Sequence, residues 1–222
     1  MKFCLLSTPP LITIHIIYQA QTQNLKFADV VIVGNDSQQY DLLRENAHND
    51  RFNLHFIDDP NSNEGLALMK AIAPDLLAVN VFNILRKPIL GIPKIATVNI
   101  HTGILPQYRG LDSRRWAILE GGSVGVSAHL VDQGLDTGEI LVRRKLELQP
   151  GDTIKTVTDR NYYTNKWQVF IEALLKVQRG DLRGIKQKVN EGKQYFIMHP
   201  KLAKIVDLML ESINEKNLVS TK

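Results

Sequence analysis

Three side chains in two loop-rich segments have the chemistry that acyl transfer needs. Asn99 and His101 stand two residues apart after an apolar run, and Asp136 lies between Gly134 and Gly138. An amine that attacks a carbonyl carbon makes an oxyanion and a cationic nitrogen, so the site needs hydrogen-bond donors and a proton acceptor. The amide and the imidazole can donate, and the carboxylate can orient the imidazole and accept a proton through water. No serine or cysteine nucleophile is required.

The local pattern predicts that these side chains meet at a sheet edge. The apolar run 95–100 predicts a short buried strand, whose two-residue repeat places Asn99 and His101 on the same side. Open parallel sheets bind ligands beyond the carboxyl ends of their strands. Glycines and a proline in the loop 102–110 predict a rigid, irregular connection over that edge.

The elements that must position the site alternate between strand and helix. The pattern predicts strands over 2–7, 29–33, 54–57, 75–79, 95–100, 124–131 and 140–148, strand-like pieces over 184–187 and 194–197, and helices over 11–20, 39–47, 64–72, 113–119, 152–177 and 200–214. This order indicates an α/β fold, a Rossmann-like, mostly parallel sheet flanked by helices. Asp152 is predicted to cap the long helix. We expect a catalytic domain over 1–180 and a short carboxy-terminal extension over 181–222.

Composition favours a globular protein with an ample core and excludes several classes. The chain has 222 residues, 44% of them hydrophobic, and a net charge of +4 from 27 Lys and Arg against 23 Asp and Glu. The single cysteine, Cys4, excludes an internal disulfide and indicates a reducing, cytoplasmic compartment. No run reaches the roughly 18 apolar residues of a membrane span.

The two motif segments resemble one family. The strings NIHTGILPQYRG and VDQGLDTGEIL, at residues 99–110 and 131–141, are similar to the signature of 10-formyltetrahydrofolate-dependent formyltransferases. That family includes glycinamide ribonucleotide, methionyl-tRNA and amino-sugar formyltransferases, with related formyltetrahydrofolate hydrolases. The resemblance implies the formyltransferase fold, 10-formyltetrahydrofolate as co-substrate, and no metal.

The resemblance also implies roles for single residues. By the family pattern, Asn99, His101 and Asp136 form the catalytic trio, and His129 either supports them indirectly or is structural. Two segments are expected to line the folate pocket: Val81, Phe82, Asn83, Ile84 and Leu85, and Asp132, Gln133, Gly134 and Leu135. Contacts with the acceptor are expected from Thr8, Arg109 and Gly110. Two further cations near the motif, Arg114 and Arg115, can meet a phosphate or carboxylate of a substrate.

Departures from the family pattern bear on the acceptor amine. Methionyl-tRNA formyltransferases carry an additional basic barrel, for which the residues after 180 leave little room. Glycinamide ribonucleotide enzymes usually have a glycine-rich phosphate turn after the first strand, where this chain has Pro9 and Pro10, which lack backbone N–H groups. By elimination, we expect the acceptor to be a small amine, a nucleotide-linked amino sugar. We expect no nucleic-acid or membrane partner. Oligomerisation stays open.

Other functions also stay open at this point. The resemblance allows a glycinamide ribonucleotide or methionyl-tRNA formyltransferase, and a formyltetrahydrofolate hydrolase would use the same trio with water as nucleophile. Hydrolases of that type usually carry an amino-terminal regulatory domain. A non-catalytic nucleotide-binding module would explain the alternating pattern, but the first strand lacks a following Gly-x-Gly-x-x-Gly, and such a module gives no reason for Asn99, His101 and Asp136 together.

Overall fold

The computed structural model describes residues 1–8, 10–34 and 37–219. The strands of these residues are β1 (Phe3–Ser7), β2 (Phe27–Val33), β3 (Asn53–Ile57), β4 (Leu76–Asn80), β5 (Ala96–His101), β6 (Tyr108–Gly110), β7 (Val124–Leu130), β8 (Ile140–Leu146) and β9 (Lys193–Tyr195). The α-helices are α1 (Pro10–Thr22), α2 (Asp41–Asp50), α3 (Asn63–Ile72), α4 (Lys87–Leu90), α5 (Ser113–Leu119), α6 (Ile154–Arg160), α7 (Trp167–Gln178) and α8 (Pro200–Val219). None of the helices in the described ranges is long and apolar enough to cross a bilayer.

The main sheet has seven strands in the order β3-β2-β1-β4-β5-β7-β8 and is flanked by helices. Strands β1 to β5 pair in parallel, and β7 pairs with β8 in antiparallel. A separate parallel pair joins β6 and β9. The predicted α/β class with a mostly parallel sheet is confirmed.

The first of two compact units contains residues 1–99, 130–134 and 171–182. Strands β1 and β4 are buried along their whole length, which explains why they read in the sequence as continuous apolar runs. One core cluster joins the strands to α3 and α4: Cys4, Leu6, Val31, Ile57, Met69, Ile72, Leu77, Val79, Leu85 and Ile89.

The second unit contains residues 100–129, 135–170 and 183–222. Its core cluster brings β6, α5, β7, α6, β9 and α8 together. The Tyr195 ring lies 5.6 Å from that of Tyr108 and 5.1 Å from that of Trp116, and its hydroxyl donates to Glu120. Residues after 182 thus share a core with the motif loop, and a separate extension beginning at residue 181 stays a prediction.

The predicted long helix 152–177 is interrupted. Helix α6 ends at Arg160, a π-helical turn spans Asn161–Lys166, and α7 follows. The side chain of Asn161 anchors the turn by donating to the Gly125 carbonyl over 3.0 Å. A π-turn has no composition signature of its own, so the amphipathic pattern could not reveal it.

The predicted cap of that helix is wrong by one residue. Thr153 is the N-cap, and it forms a reciprocal capping box with Thr156. Asp152 instead accepts hydrogen bonds from Arg160, the last residue of α6, and from the Gln149 backbone N–H. Two short elements, α4 and β6, were not predicted, and the piece 184–187 is reduced to one bridge between Ile185 and Ile140.

Candidate functional site

His101 is the last residue of β5 and is buried. Its Nε2 lies 2.6 Å from the Tyr108 carbonyl oxygen. Because a carbonyl oxygen only accepts, Nε2 carries the proton of the neutral ring, and Nδ1 is the atom that can take up a further proton. Burial lowers the pKa of His101. This effect is larger than the opposing effects of Asp136 and the Tyr108 carbonyl, which favour the charged ring and raise the pKa. The site therefore holds a neutral imidazole at pH 7.

Asp136 lies between two histidines. Its Oδ2 is 3.4 Å from His101 Nδ1 and its Oδ1 is 3.4 Å from His129 Nε2. The backbone N–H of Gly110 donates to Oδ2 over 2.9 Å. Burial by itself would raise the pKa of Asp136, but the two histidines and the Gly110 N–H hold the pKa well below its usual range. A proton arriving at His101 Nδ1 would thus face an ionised carboxylate.

His129 completes the cluster from β7, where its side chain is 2% exposed. It meets the carboxylate oxygen that does not face His101, and its charge also lowers the pKa of His101. No group of three or more His, Cys, Asp or Glu side chains in the described part of the chain is arranged to hold a metal ion.

The turn around Asp136 is fixed from two directions. Asp136 has a left-handed backbone with φ of +54°. The Gln187 side-chain amide donates to the carbonyls of Asp136 and Gly138 over 3.0 and 2.6 Å. Gly110, with φ of +89°, approaches the tail so closely that a Cβ would stand 2.2 Å from the Tyr195 carbonyl oxygen. Glycine is therefore required at the residue that donates to Asp136.

The loop after His101 is pinned by side chains that sequence analysis did not assign to the site. Ser127 Oγ accepts from the Leu105 N–H and donates to the Gly103 carbonyl. Arg143 donates to the Leu105 carbonyl over 3.0 Å. A Cβ on Gly103 would stand 2.8 Å from His101 Nε2. The predicted rigidity of this loop thus has a physical source, although a serine inside a strand gives no signal of such a role.

Lys166 is another residue that the sequence did not single out. It is buried, and its ammonium lies 4.4 Å from the centre of the Tyr162 ring and 4.6 Å from that of Trp167. Burial, helped by Arg114, lowers the pKa of Lys166 to about 7. Its charge also lowers the pKa of His101, so it acts electrostatically on the site. Lys166 is the last residue of the π-turn Asn161–Lys166.

Asn99 precedes His101 by two residues on β5, as predicted, and is partly buried. It stands opposite Val79 of β4 in the parallel register. The strand repeat places its side chain on the side of β5 that His101 occupies.

The segments expected to line a folate pocket are loops of ordered backbone. After β4, the Phe82 and Ile84 side chains are 86% and 68% exposed, while Leu85 packs in the core. Asn61 holds this loop by donating to the Ile84 carbonyl and accepting from the Arg86 N–H. After β7, Val131 N–H donates to the Thr97 carbonyl and Gly134 N–H donates to Asp132. Val81 packs against the core cluster, and Asn83, Gln133 and Leu135 belong to the same two loops.

The residues expected to contact an acceptor have defined structural partners. Thr8 exchanges hydrogen bonds with Asn80, which ties the ends of β1 and β4 together; Pro9 lies outside the described residues. Arg109 is buried and donates to the Gly192 carbonyl over 3.0 Å. Their contacts with an acceptor stay a prediction.

Comparison with known proteins identifies the family. The formyl transferase family model matches residues 1–174. A methionyl-tRNA formyltransferase from Synechococcus sp. (strain JA-3-3Ab) is 35% identical over 126 residues, 56% of this chain and 39% of the relative. The chain spans about two fifths of the length of the curated relatives it matches.

Solved structures share the fold. Glycinamide ribonucleotide transformylase 1 from Symbiobacterium toebii is 21% identical with a TM-score of 0.68, covering 81% of this chain and 88% of its own. A formyltransferase from Anoxybacillus kamchatkensis, solved in complex with UDP-4,6-dideoxy-4-formamido-L-AltNAc and tetrahydrofolate, is 23% identical with a TM-score of 0.61, covering 89% and 86%. The geometry around His101 and Asp136 and the match over residues 1–174 lead to one conclusion: the chain belongs to the formyl transferase family.

Proposed function

We propose that this protein transfers the formyl group of 10-formyltetrahydrofolate to a primary amine, and that the acceptor is a nucleotide-linked amino sugar. The observation that carries the proposal is the position of Asp136, whose ionised carboxylate lies 3.4 Å from His101 Nδ1 while Nε2 is committed to the Tyr108 carbonyl. This geometry leaves one ring atom for proton transfer and a carboxylate to stabilise the result.

The reaction can be written with these groups in named roles. The amine nitrogen bonds to the formyl carbon, and the carbonyl electron pair moves to oxygen, where the Asn99 amide donates a hydrogen bond. The amine loses a proton to His101 Nδ1 or, through water, to Asp136. The bond between the formyl carbon and N10 then breaks, and N10 receives a proton, which gives tetrahydrofolate and the formamide. His129 is a positioning residue in this scheme, because it meets the Asp136 carboxylate oxygen that does not face His101.

The co-substrate assignment rests on the loop after β4. Phe82 and Ile84 present large apolar side chains to solvent from a backbone that Asn61 holds in place. An apolar, planar ring system fits such a surface, since ordered exposed apolar groups are typical of ligand sites. Residues 132–135 are the second part of the proposed pocket.

The acceptor assignment rests on two features. Pro9 and Pro10 follow β1, where a phosphate turn would need backbone N–H groups. The tail after residue 182 is engaged with the motif: Gln187 holds the Asp136 turn and Tyr195 stacks between aromatic rings. A relative's name includes tRNA and a structural neighbour contains a UDP-sugar, so the acceptor must be decided by experiment. A cytoplasmic location, consistent with the buried free thiol of Cys4, is part of the proposal.

A parallel acceptor assay tests the proposal. Release of tetrahydrofolate from 10-formyltetrahydrofolate is followed with UDP- and dTDP-linked amino sugars, glycinamide ribonucleotide, methionyl-tRNA, and no amine. We expect turnover with an amino-sugar nucleotide at least about 10²-fold above the other arms, since sites that hydrogen-bond a substrate group can discriminate by up to about 10⁴–10⁵.

Each other result selects a rival. Preferred turnover of glycinamide ribonucleotide or methionyl-tRNA would replace the acceptor and keep the chemistry. Release at an undiminished rate without amine would identify a hydrolase. Nucleotide binding with no shift in melting temperature at saturating folinic acid would remove the folate assignment, because any ligand of the native state raises that temperature.

A further inference from the structure

A charged cavity lies between α5 and α6, within the second unit. Its volume is about 320 Å³, enough for a small anionic group. The lining includes three cations, Arg114, Arg115 and Lys155, and two carboxylates, Asp112 and Asp159. None of these residues takes part in the cluster around His101 and Asp136 described above.

Arg114 is the residue of interest in this cavity. Its Nε and Nη1 atoms are buried and have no hydrogen-bond partner within the described part of the chain. A buried donor that forms no hydrogen bond costs about 1–3 kcal/mol, and a charged group costs more. A guanidinium has its donors in a flat fork that matches two oxygens of a phosphate. Burial also lowers the pKa of Arg114, which indicates that its charge is poorly solvated.

The two carboxylates of the lining have other partners. Asp159 is paired with Lys155 one turn before it on α6. Asp112 accepts the backbone N–H of Met198 over 2.8 Å. Asp112 favours the charged form of Arg114 but leaves the Nε and Nη1 donors unmatched. With Lys155 paired to Asp159, Arg114 and Arg115 are the cations of the lining that make the cavity suited to an anion.

We infer that the cavity between α5 and α6 binds a phosphate or diphosphate group through the guanidinium of Arg114, with Arg115 as a second cation. The assignment to a substrate rests on the proposed function: where the acceptor is a sugar nucleotide, this cavity holds its diphosphate. Free phosphate and a nucleoside diphosphate share the chemistry, and the test separates them.

Binding is measured by titration calorimetry with inorganic phosphate, pyrophosphate and UDP at fixed ionic strength. We expect all three to bind, pyrophosphate more tightly than phosphate, and UDP most tightly where the ligand is a nucleotide. Arg114→Gln should weaken pyrophosphate binding by about tenfold or more, the range for losing charged hydrogen bonds. The matched control is Arg179→Gln, which removes the same charge from an exposed residue after α7.

Two results would overturn the inference. One is the absence of pyrophosphate binding to the wild-type protein at millimolar concentration. The other is equal weakening by Arg114→Gln and Arg179→Gln, which would show non-specific attraction. If Arg114→Gln does not fold, Thr158→Glu decides, because it adds a negative charge to the lining and leaves Arg114 in place.

The same variants distinguish this inference from the proposed function. Anion binding is measured without folate or amine, so it can succeed where formyl transfer fails. With an amino-sugar nucleotide as acceptor, Arg114→Gln should raise KM about tenfold with kcat little changed. If Arg114→Gln loses pyrophosphate binding but keeps the wild-type KM, the cavity is an anion site that does not bind the acceptor.

Discussion

At the scale of single residues, the site depends on what Asp136 accepts. Two donors converge on it, His129 and the Gly110 N–H, and the unprotonated Nδ1 of His101 faces it. An asparagine would fill the same space but carry no charge, so a proton taken up by His101 Nδ1 would no longer face a carboxylate. Stabilisation of a protonated His101 would be lost, while the loops proposed to bind folate would be untouched.

We therefore expect Asp136→Asn to lower kcat for formyl transfer by about 10²–10⁴, the range for a lost acid or base, with folinic acid binding retained. Steady-state rates and the shift in melting temperature with folinic acid measure the two effects. Asp41→Asn is the control, because Asp41 is exposed at the start of α2. Wild-type turnover of Asp136→Asn would mean that the carboxylate is a plain turn residue and that the trio is wrong.

The side chains of this site were predictable, but their backbone partners were not. Asn99, His101 and Asp136 carry distinctive groups at fixed spacing, so the motif resemblance could propose them as the trio, and the structure brings His101 and Asp136 together. The Tyr108 carbonyl and the Gly110 N–H are groups that nearly every residue has, and only the path of the loop aims them at His101 and Asp136. The sequence thus indicated candidate reactive groups, whose catalytic role stays a prediction, while the tautomer of His101 required the structure.

At the scale of elements, the loop between β5 and β6 sets the position of His101. Gly103 packs where a Cβ would stand 2.7 Å from the Tyr108 carbonyl oxygen, 2.7 Å from Ser113 Cβ and 2.8 Å from His101 Nε2. Two of these neighbours are the partners in the hydrogen bond that fixes the imidazole. A single added methyl group must therefore move either the loop or the ring.

Gly103→Ala should lower the free energy of unfolding by about 1–3 kcal/mol, the usual cost of overpacking, and reduce kcat. Urea unfolding and steady-state rates measure the two effects. Gly91→Ala is the matched control: its Cβ would meet nothing nearer than 3.7 Å, so we expect wild-type stability and rate. Equal behaviour of the two variants would show that the loop adapts freely and does not position His101.

Sequence patterns determined element type better than they determined where elements break. Most strands and helices were predicted within a few residues, because buried parallel strands and amphipathic helices have distinct repeats. The break at 161–166 was missed because it depends on distant partners: Asn161 donates to Gly125, and Lys166 enters an aromatic pair. The cap was misassigned because Asp152 and Thr153 are both good capping residues, and Arg160 draws the aspartate away.

At the scale of the whole molecule, buried ionisable groups make stability depend on pH. Lys166 has its pKa lowered to about 7 in the folded chain, against 10.5 for an ordinary lysine. From pH 7 upward the unfolded chain holds a proton that the folded chain does not, so the free energy of unfolding rises with pH. Below pH 7 both states are protonated at this residue, and the full cost of burying its charge is present.

Other titratable groups limit the pH range in which the effect of Lys166 on stability can be measured. The lowered pKa of His101 makes stability fall as pH drops below about 6.5, since the unfolded ring then takes up a proton first. Burial raises the pKa of Cys4 and of Tyr162, so above about pH 9 the unfolded chain loses protons that the folded chain keeps, and stability falls. Between about pH 7 and 8.5 the rise caused by Lys166 should dominate.

We predict that Lys166→Met raises the free energy of unfolding by about 2–4 kcal/mol near pH 7 and flattens its rise up to pH 8.5. Each tenfold change in proton affinity is worth about 1.4 kcal/mol. The lost contacts of the ammonium with the Tyr162 and Trp167 rings offset part of this gain. Urea unfolding at intervals of half a pH unit measures both effects. Lys201→Met, at an exposed position on α8, is the control and should keep the wild-type slope. A wild-type slope in Lys166→Met would show that the ammonium is well solvated by its surroundings and exerts no net cost on the fold.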